Sequence, residues 1–157
     1  MKIKIKKLQE VILEPERKKN KLYNPAAIDY RINHRVKSIE ISDRYTRIDF
    51  IYRSSNIYIN GGWIQIESNS YISPVGSDVK YKLLKAIGIP YAPMKHYFKR
   101  AGETHCYTLL FPALPKDTKQ IDIIENLAPG SFFNFFNICF SEWMSIPHPA
   151  DIYRSKN

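Results

Sequence analysis

Hydrophobic and polar positions alternate most regularly from Tyr45 to Arg53, where Thr46, Ile48, Phe50 and Tyr52 fall on one side and Arg47, Asp49, Ile51 and Arg53 on the other. A strand points successive side chains to opposite faces, so this segment predicts a half-buried β-strand with a core face and a wet face, the latter charged at three of its four positions. The same period returns over 104–111, with Tyr107, Leu109 and Phe111 inward. Shorter runs predict further strands over 36–41, where alternation begins only toward the strand end, and over 63–66, 71–72, 81–89 and 121–125. A last, very aromatic strand is expected over 132–140, bulged near Asn137. Residues 82–86 have good helical propensity, but Gly88 and Pro90 end that element whichever way it folds.

The turn chemistry organises these runs. Asn60-Gly61-Gly62 tolerates positive φ at both glycines and predicts a hairpin turn delivering Trp63 into the next strand. Pro112 and Pro115 have no amide to give a ladder, so the chain must leave one sheet there and cross before Ile121 enters another. Pro129-Gly130 turns the chain into the final strand. About eight or nine short strands with frequent turns predict an all-β fold, two antiparallel sheets packed as a β-sandwich around a small apolar core.

Residues 1–27 stand apart as a basic N-terminal arm or linker, and 28–157 form a single β-sandwich domain with a C-terminal tail. In the arm Ile3 and Ile5 alternate with lysine as on a strand, while Ile5, Leu8, Ile12 and Leu13 fit one helical face, and Pro15 and Asn24-Pro25 interrupt either form. The tail carries Trp143, Met144, Ile146, Pro147 and Pro149, too proline-rich for a long helix and too apolar to lie wholly free.

A chain of 157 residues suits one domain with a real core. At 44% hydrophobic and 25% charged it is globular in composition, and eleven tyrosines favour strands over a helical bundle. The net charge of +9 is uneven: Lys2, Lys4, Lys6, Lys7, Arg17, Lys18, Lys19 and Lys21 face only Glu10, Glu14 and Glu16 in the first 21 residues. Such an arm suits phosphates or an acidic protein, and equally a solvated, solubilising leader. No apolar run is long enough for a membrane span, and the opening residues form no apolar leader, so as written the expectation is a cytoplasmic protein; an exported form stays open for a processed chain. Cys106 and Cys139 are too few for a disulfide framework and read most simply as thiols, with Cys106 on the outward face of its strand.

Candidate chemistry is sparse. His34, His96, His105 and His148 show no helical i, i+3 or i, i+4 pairing for a metal. Cys106 has His105 beside it, but adjacent strand residues face opposite ways, so the imidazole cannot activate the thiol. Asp122 and Glu125 likewise diverge, and Glu125 reads as a structural acceptor or turn residue. No catalytic residue, metal ligand or cofactor is assigned, and the binding surface is unknown from sequence. Tyr58, Trp63, Tyr71, Tyr91, Tyr97 and Trp143, with Lys80, Lys82, Lys95, Lys99 and Arg100, are the residues that would make a stacking platform for bases or sugar rings.

From 36 to about 140 the order of phrases carries a resemblance: Thr46-Arg47-Ile48-Asp49-Phe50, Trp63-Ile64-Gln65-Ile66, Gly88-Ile89, Tyr107-Thr108-Leu109-Leu110-Phe111, Pro112-Ala113-Leu114-Pro115, Ile121-Asp122-Ile123-Ile124-Glu125 and an aromatic last strand ending at Ile138. It resembles an uncharacterised immunoglobulin-like β-sandwich domain family of Bacteroidetes. The Cys, Trp, Cys spacing of antibody domains is absent, so the likeness is architectural. It implies no activity; such domains are often exported and joined to others, which implies an accessory or interaction role. The expected function is therefore a non-catalytic protein-interaction or structural accessory module, a subunit or partner of a larger assembly. Two alternatives are a nucleic-acid-associated protein using the basic arm and a carbohydrate- or ligand-binding sandwich.

Overall fold

A computed structural model describes residues 20–23, as backbone, and 33–140. The lysines of 1–19, the Asn24-Pro25 break, the Trp143 tail and His148 lie outside the described residues. The elements in chain order are β1 (Asn20–Tyr23), β2 (His34–Ile41), β3 (Tyr45–Arg53), β4 (Trp63–Ile64), β5 (Tyr71–Pro74), β6 (Tyr81–Lys82), β7 (Lys85–Ile87), β8 (His96–Tyr97), β9 (Thr104–Pro112), β10 (Gln120–Ile124) and β11 (Phe135–Cys139). Among the described residues the fold is all-β, without a helix. One sheet has the order β1-β2-β3-β9-β7, a second β11-β10-β5-β6, and β4 pairs with β8 in a separate ribbon. Every pairing between these strands is antiparallel.

The two cleanest alternating segments of the sequence meet in the longest ladder. β3 and β9 pair from Tyr45 opposite Pro112 to Arg53 opposite Thr104. Their inward residues Ile48, Phe50, Tyr107, Leu109 and Phe111 are all buried. On the outer face Asp49 accepts hydrogen bonds from Thr108 Oγ1 at 2.6 Å, Ser38 Oγ at 2.8 Å and Arg47 Nε at 3.1 Å. Burial pushes this carboxyl's pKa up, but the hydrogen bonds and the Arg47 charge outweigh it and hold the value below the ordinary one.

Irregular pairing explains where simple alternation fails. The β2–β3 register slips between Val36 and Ser38, leaving Lys37 as an extra residue. The bulge switches parity, so His34 and Val36 face the core before it and Ile39 after it. β11 repeats the device: its register against β10 shifts between Ile121 and Ile123. Asn137 takes φ 57° there and donates its N–H to Asp122 Oδ1 at 2.8 Å. Phe135 and Ile138, three apart, therefore both point inward, as the expected bulge near Asn137 requires.

Two expectations change. The 81–89 run is not one element: Leu83 N–H donates to Ser70 O at 2.8 Å, beside the second sheet, and Leu84 N–H donates to Leu110 O at 2.8 Å in the first. The chain changes sheets between adjacent residues, leaving β6 in one and β7 in the other. Nor does Asn60-Gly61-Gly62 close a hairpin between paired strands. Both glycines have positive φ, as expected, but β3 before the turn pairs with β2 and β9, whereas β4 after it pairs with β8. Long-range pairing with 96–97 wins over the local turn. The proline-bearing segment after β9 does carry the chain from the first sheet to the second.

Both sheets feed one apolar core, which gathers Val36, Ile39, Ile48, Phe50, Leu109 and Phe111 from the first and Ile72, Ile121, Ile123, Phe135 and Ile138 from the second. Phe50 stacks on Tyr107 with ring centroids 4.8 Å apart, and Phe135 of the facing sheet lies 5.5 Å from Phe50. Phe135→Ala is expected to cost about 3–5 kcal/mol, because truncation removes buried area and leaves a cavity that close-packed neighbours cannot refill. Equilibrium denaturant unfolding checks it; a loss well under 1 kcal/mol would mean that the sheets do not depend on this contact.

Candidate interaction surfaces

Polar groups inside the core serve the fold. His34 is buried in an aromatic nest, with Phe133 and Phe135 at centroid distances of 4.3 and 4.9 Å, and its Nε2 is hydrogen-bonded to Tyr107 OH at 2.6 Å. Glu125 is buried immediately after β10. Its two oxygens accept from Glu67 N–H at 3.0 Å and Phe133 N–H at 2.7 Å, tying the loop after β4 to the loop before β11. A cavity of about 10 Å³ beside Phe50, Tyr107, Ser70 and Glu125 has room for roughly one water, not an organic ligand. The interior aromatics thus fill the core around it.

The ribbon of β4 and β8 has two unlike faces because its register pairs like with like. Ile64 opposite His96 points inward, and Trp63 opposite Tyr97 points into solvent. Lys95 Nζ sits 4.3 Å from the centre of the Trp63 ring, a cation–π contact. The preceding loop, 54–62, exposes Ile57, Tyr58 and Ile59, the two isoleucines to 87% and 97%. Its base is clamped: Ser54 Oγ donates to Arg100 O at 2.8 Å and accepts from Glu103 N–H at 2.8 Å. Gly61 is forced by space as well as by its φ of 83°, since a Cβ there would lie 2.6 Å from Arg100 O. The Tyr58 ring lies against Gly62, which joins the loop to the ribbon.

A second apolar surface runs along β7, the edge strand of the larger sheet. Leu84, just before the strand, is 62% exposed and Ile87 46%, with the exposed Lys85 between them. Ala86 N–H donates to Tyr91 OH at 3.0 Å, and Tyr91 is itself partly in solvent.

Of the sequence-derived platform residues, Tyr58, Trp63, Tyr91 and Tyr97 are exposed, and Trp63 and Tyr97 come together. Tyr71 is only half-exposed and lies in the other sheet, with Lys80 over its ring at 4.9 Å. Cys106 on β9 is exposed, Cys139 is half-buried on β11 of the other sheet, and no disulfide joins them. Among the described residues no group of three or more His, Cys, Asp or Glu side chains is placed to hold a metal, and no helix is long and apolar enough to cross a membrane. No family model, curated protein or solved structure matches the chain.

One juxtaposition has no signal in the linear sequence. His96 stacks on His105 with centroids 4.3 Å apart, brought there by the ribbon folding over β9. His105 Nε2 is hydrogen-bonded to Gly88 O, whereas His96 Nε2 is buried without a hydrogen-bond partner among the described residues. Burial first, then the charge of His105, lowers the His96 pKa, against an opposing pull from Glu103. The folded state therefore favours neutral His96. Its stabilising effect is complete above the unfolded imidazole value and is lost as pH falls through the lower folded one. Between about pH 7 and 5 the wild type should lose thermal stability that His96→Gln retains; unfolding midpoints across that range check it, and parallel profiles would remove His96 as the cause.

Glu125 is tested separately. Glu125→Ala strands two N–H donors, at about 1–3 kcal/mol each where burial is complete, while Glu125→Gln keeps an oxygen for one of them and should be milder. Chemical denaturation of the two variants checks the order; equal stability would show that water replaces the carboxylate.

Proposed function

We propose that this chain is a non-catalytic protein-interaction or structural accessory module, an immunoglobulin-like β-sandwich that docks on a larger assembly through the edge of its five-stranded sheet. The observation that carries this reading is the exposure of Leu84, immediately before β7, and of Ile87 at its end. Edge strands with outward apolar side chains invite another chain, and native proteins commonly cover or charge them. Here the exposed Lys85 lies between the two apolar residues, which selects an acidic partner over indiscriminate pairing. The all-β, antiparallel architecture and the order of strand phrases over 36–140 support the sandwich part of the reading. A sugar-binding platform is less favoured, because Lys95 already covers a face of Trp63 that a pyranose would need.

The test is affinity capture from native lysate with the full chain, a Leu84→Glu/Ile87→Glu variant and a chain lacking residues 1–19, which leaves β1 whole, each at low and raised salt. A stoichiometric protein that survives salt and is lost with the edge variant is the expected outcome. Nucleic acid that elutes with salt and disappears with the arm would replace this reading by the nucleic-acid one.

A further inference from the structure

Apart from the β7 edge, a larger apolar and basic surface gathers at the end formed by the 54–62 loop, the β4–β8 ribbon and the 99–103 turn. We propose that this end is a membrane-docking tip that seats on an anionic bilayer surface, inserting Ile57 and Ile59 with Tyr58, Trp63 and Tyr97 at headgroup level. An isoleucine exposed to 97% touches almost nothing of its own protein, so Ile59 projects, and Ile57 at 87% projects beside it. Exposure then falls through Tyr97 and Tyr58 to Trp63. That is the composition an interface selects: aliphatic side chains at the acyl boundary, Trp and Tyr in the headgroup layer and cations against the phosphates.

Charge favours the same occupant. In the segments that build this end, 53–64 and 93–103, Arg53, Lys95, Lys99 and Arg100 are opposed by Glu103 alone. The Glu103 carboxylate is already engaged, accepting Lys99 N–H at 3.0 Å. Arg100 flanks the loop base through its own carbonyl, and the Arg53 guanidinium lies along Gly102. A projecting Ile-Tyr-Ile turn also offers far less than the roughly 800 Å² per partner of a stable protein interface, whereas a bilayer receives it without a complementary pocket. The Ser54 clamp holds the loop base, so less conformational freedom is lost on insertion.

The experiment uses the full chain with unilamellar vesicles of phosphatidylcholine alone and of phosphatidylcholine with roughly one-third phosphatidylserine, read by co-sedimentation and tryptophan emission. Expected are binding to the phosphatidylserine vesicles, a blue shift that Trp63→Phe abolishes, and a loss of at least about tenfold in partitioning for Ile57→Ser/Ile59→Ser. Lys99→Ala/Arg100→Ala should weaken partitioning by about tenfold or more. These side chains are at the surface, so matched thermal unfolding of the variants shows that the fold is kept. Unchanged binding by Ile57→Ser/Ile59→Ser would overturn the proposal and assign the lipid affinity to the basic arm. Failure to bind the phosphatidylserine vesicles would overturn it too, as would a tip that retains a protein or nucleic acid in preference to them. None of these outcomes touches the β7 edge, so the proposed function would stand or fall separately.

Discussion

The ladder between β3 and β9 is the constraint on which the remaining elements depend. It joins two segments far apart in sequence along their whole length, Tyr45 with Pro112 and Arg53 with Thr104. β2 builds on one side of this pair and β7 on the other. The inward row it creates, Ile48, Phe50, Tyr107, Leu109 and Phe111, is the floor against which the second sheet packs. Such a ladder forms only after a long loop has closed, so its cost in chain entropy must be met by the apolar surface it lets both sheets bury. Phe50 stacked on Tyr107 and approached by Phe135 is where the rings of the two sheets meet.

What lies outside that core follows from which face each short element can afford to leave wet. The β4–β8 ribbon has only two residue pairs, and one of them turns Ile64 into the core with the half-buried His96 opposite it. Its other pair, Trp63 with Tyr97, is left in water with Lys95 for company. Both exposed apolar surfaces lie where short elements turn a side chain outward, at the ribbon with its loop and at the β7 edge.

The strands with strict alternation were legible from sequence almost to the residue. The 45–53 run is β3, and the 104–111 run is β9 extended by Pro112. The proline crossing and the Asn137 bulge could be read because proline lacks an amide and because Phe135 and Ile138 are three apart, a spacing that a regular strand cannot bury. Val36 and Ile39 carry the same spacing, so the Lys37 bulge had a signal too, and it explains why alternation started late there. The split of 81–89 and the pairing of β4 with β8 were not legible, since elements of two or three residues have no period and are placed by distant partners. The same holds for the candidate surfaces: the aromatic residues could be named in advance, but not which of them would face water, nor that His96 would meet His105. The isoleucines of the 54–62 loop had no strand or helix pattern to mark them.

The change of sheet between Leu83 and Leu84 has a mechanical meaning. Because consecutive amides bond to opposite layers, at Ser70 and at Leu110, neither layer can slide over the other without breaking a hydrogen bond next to the peptide link that joins them. The chain acts there as a rivet through the two layers, set at the edge where a shearing motion would otherwise begin. Loosening of either sheet at this corner is then transmitted to its neighbour, so the layers open as one unit, with amide exchange at Leu83 and Leu84 rising and falling together.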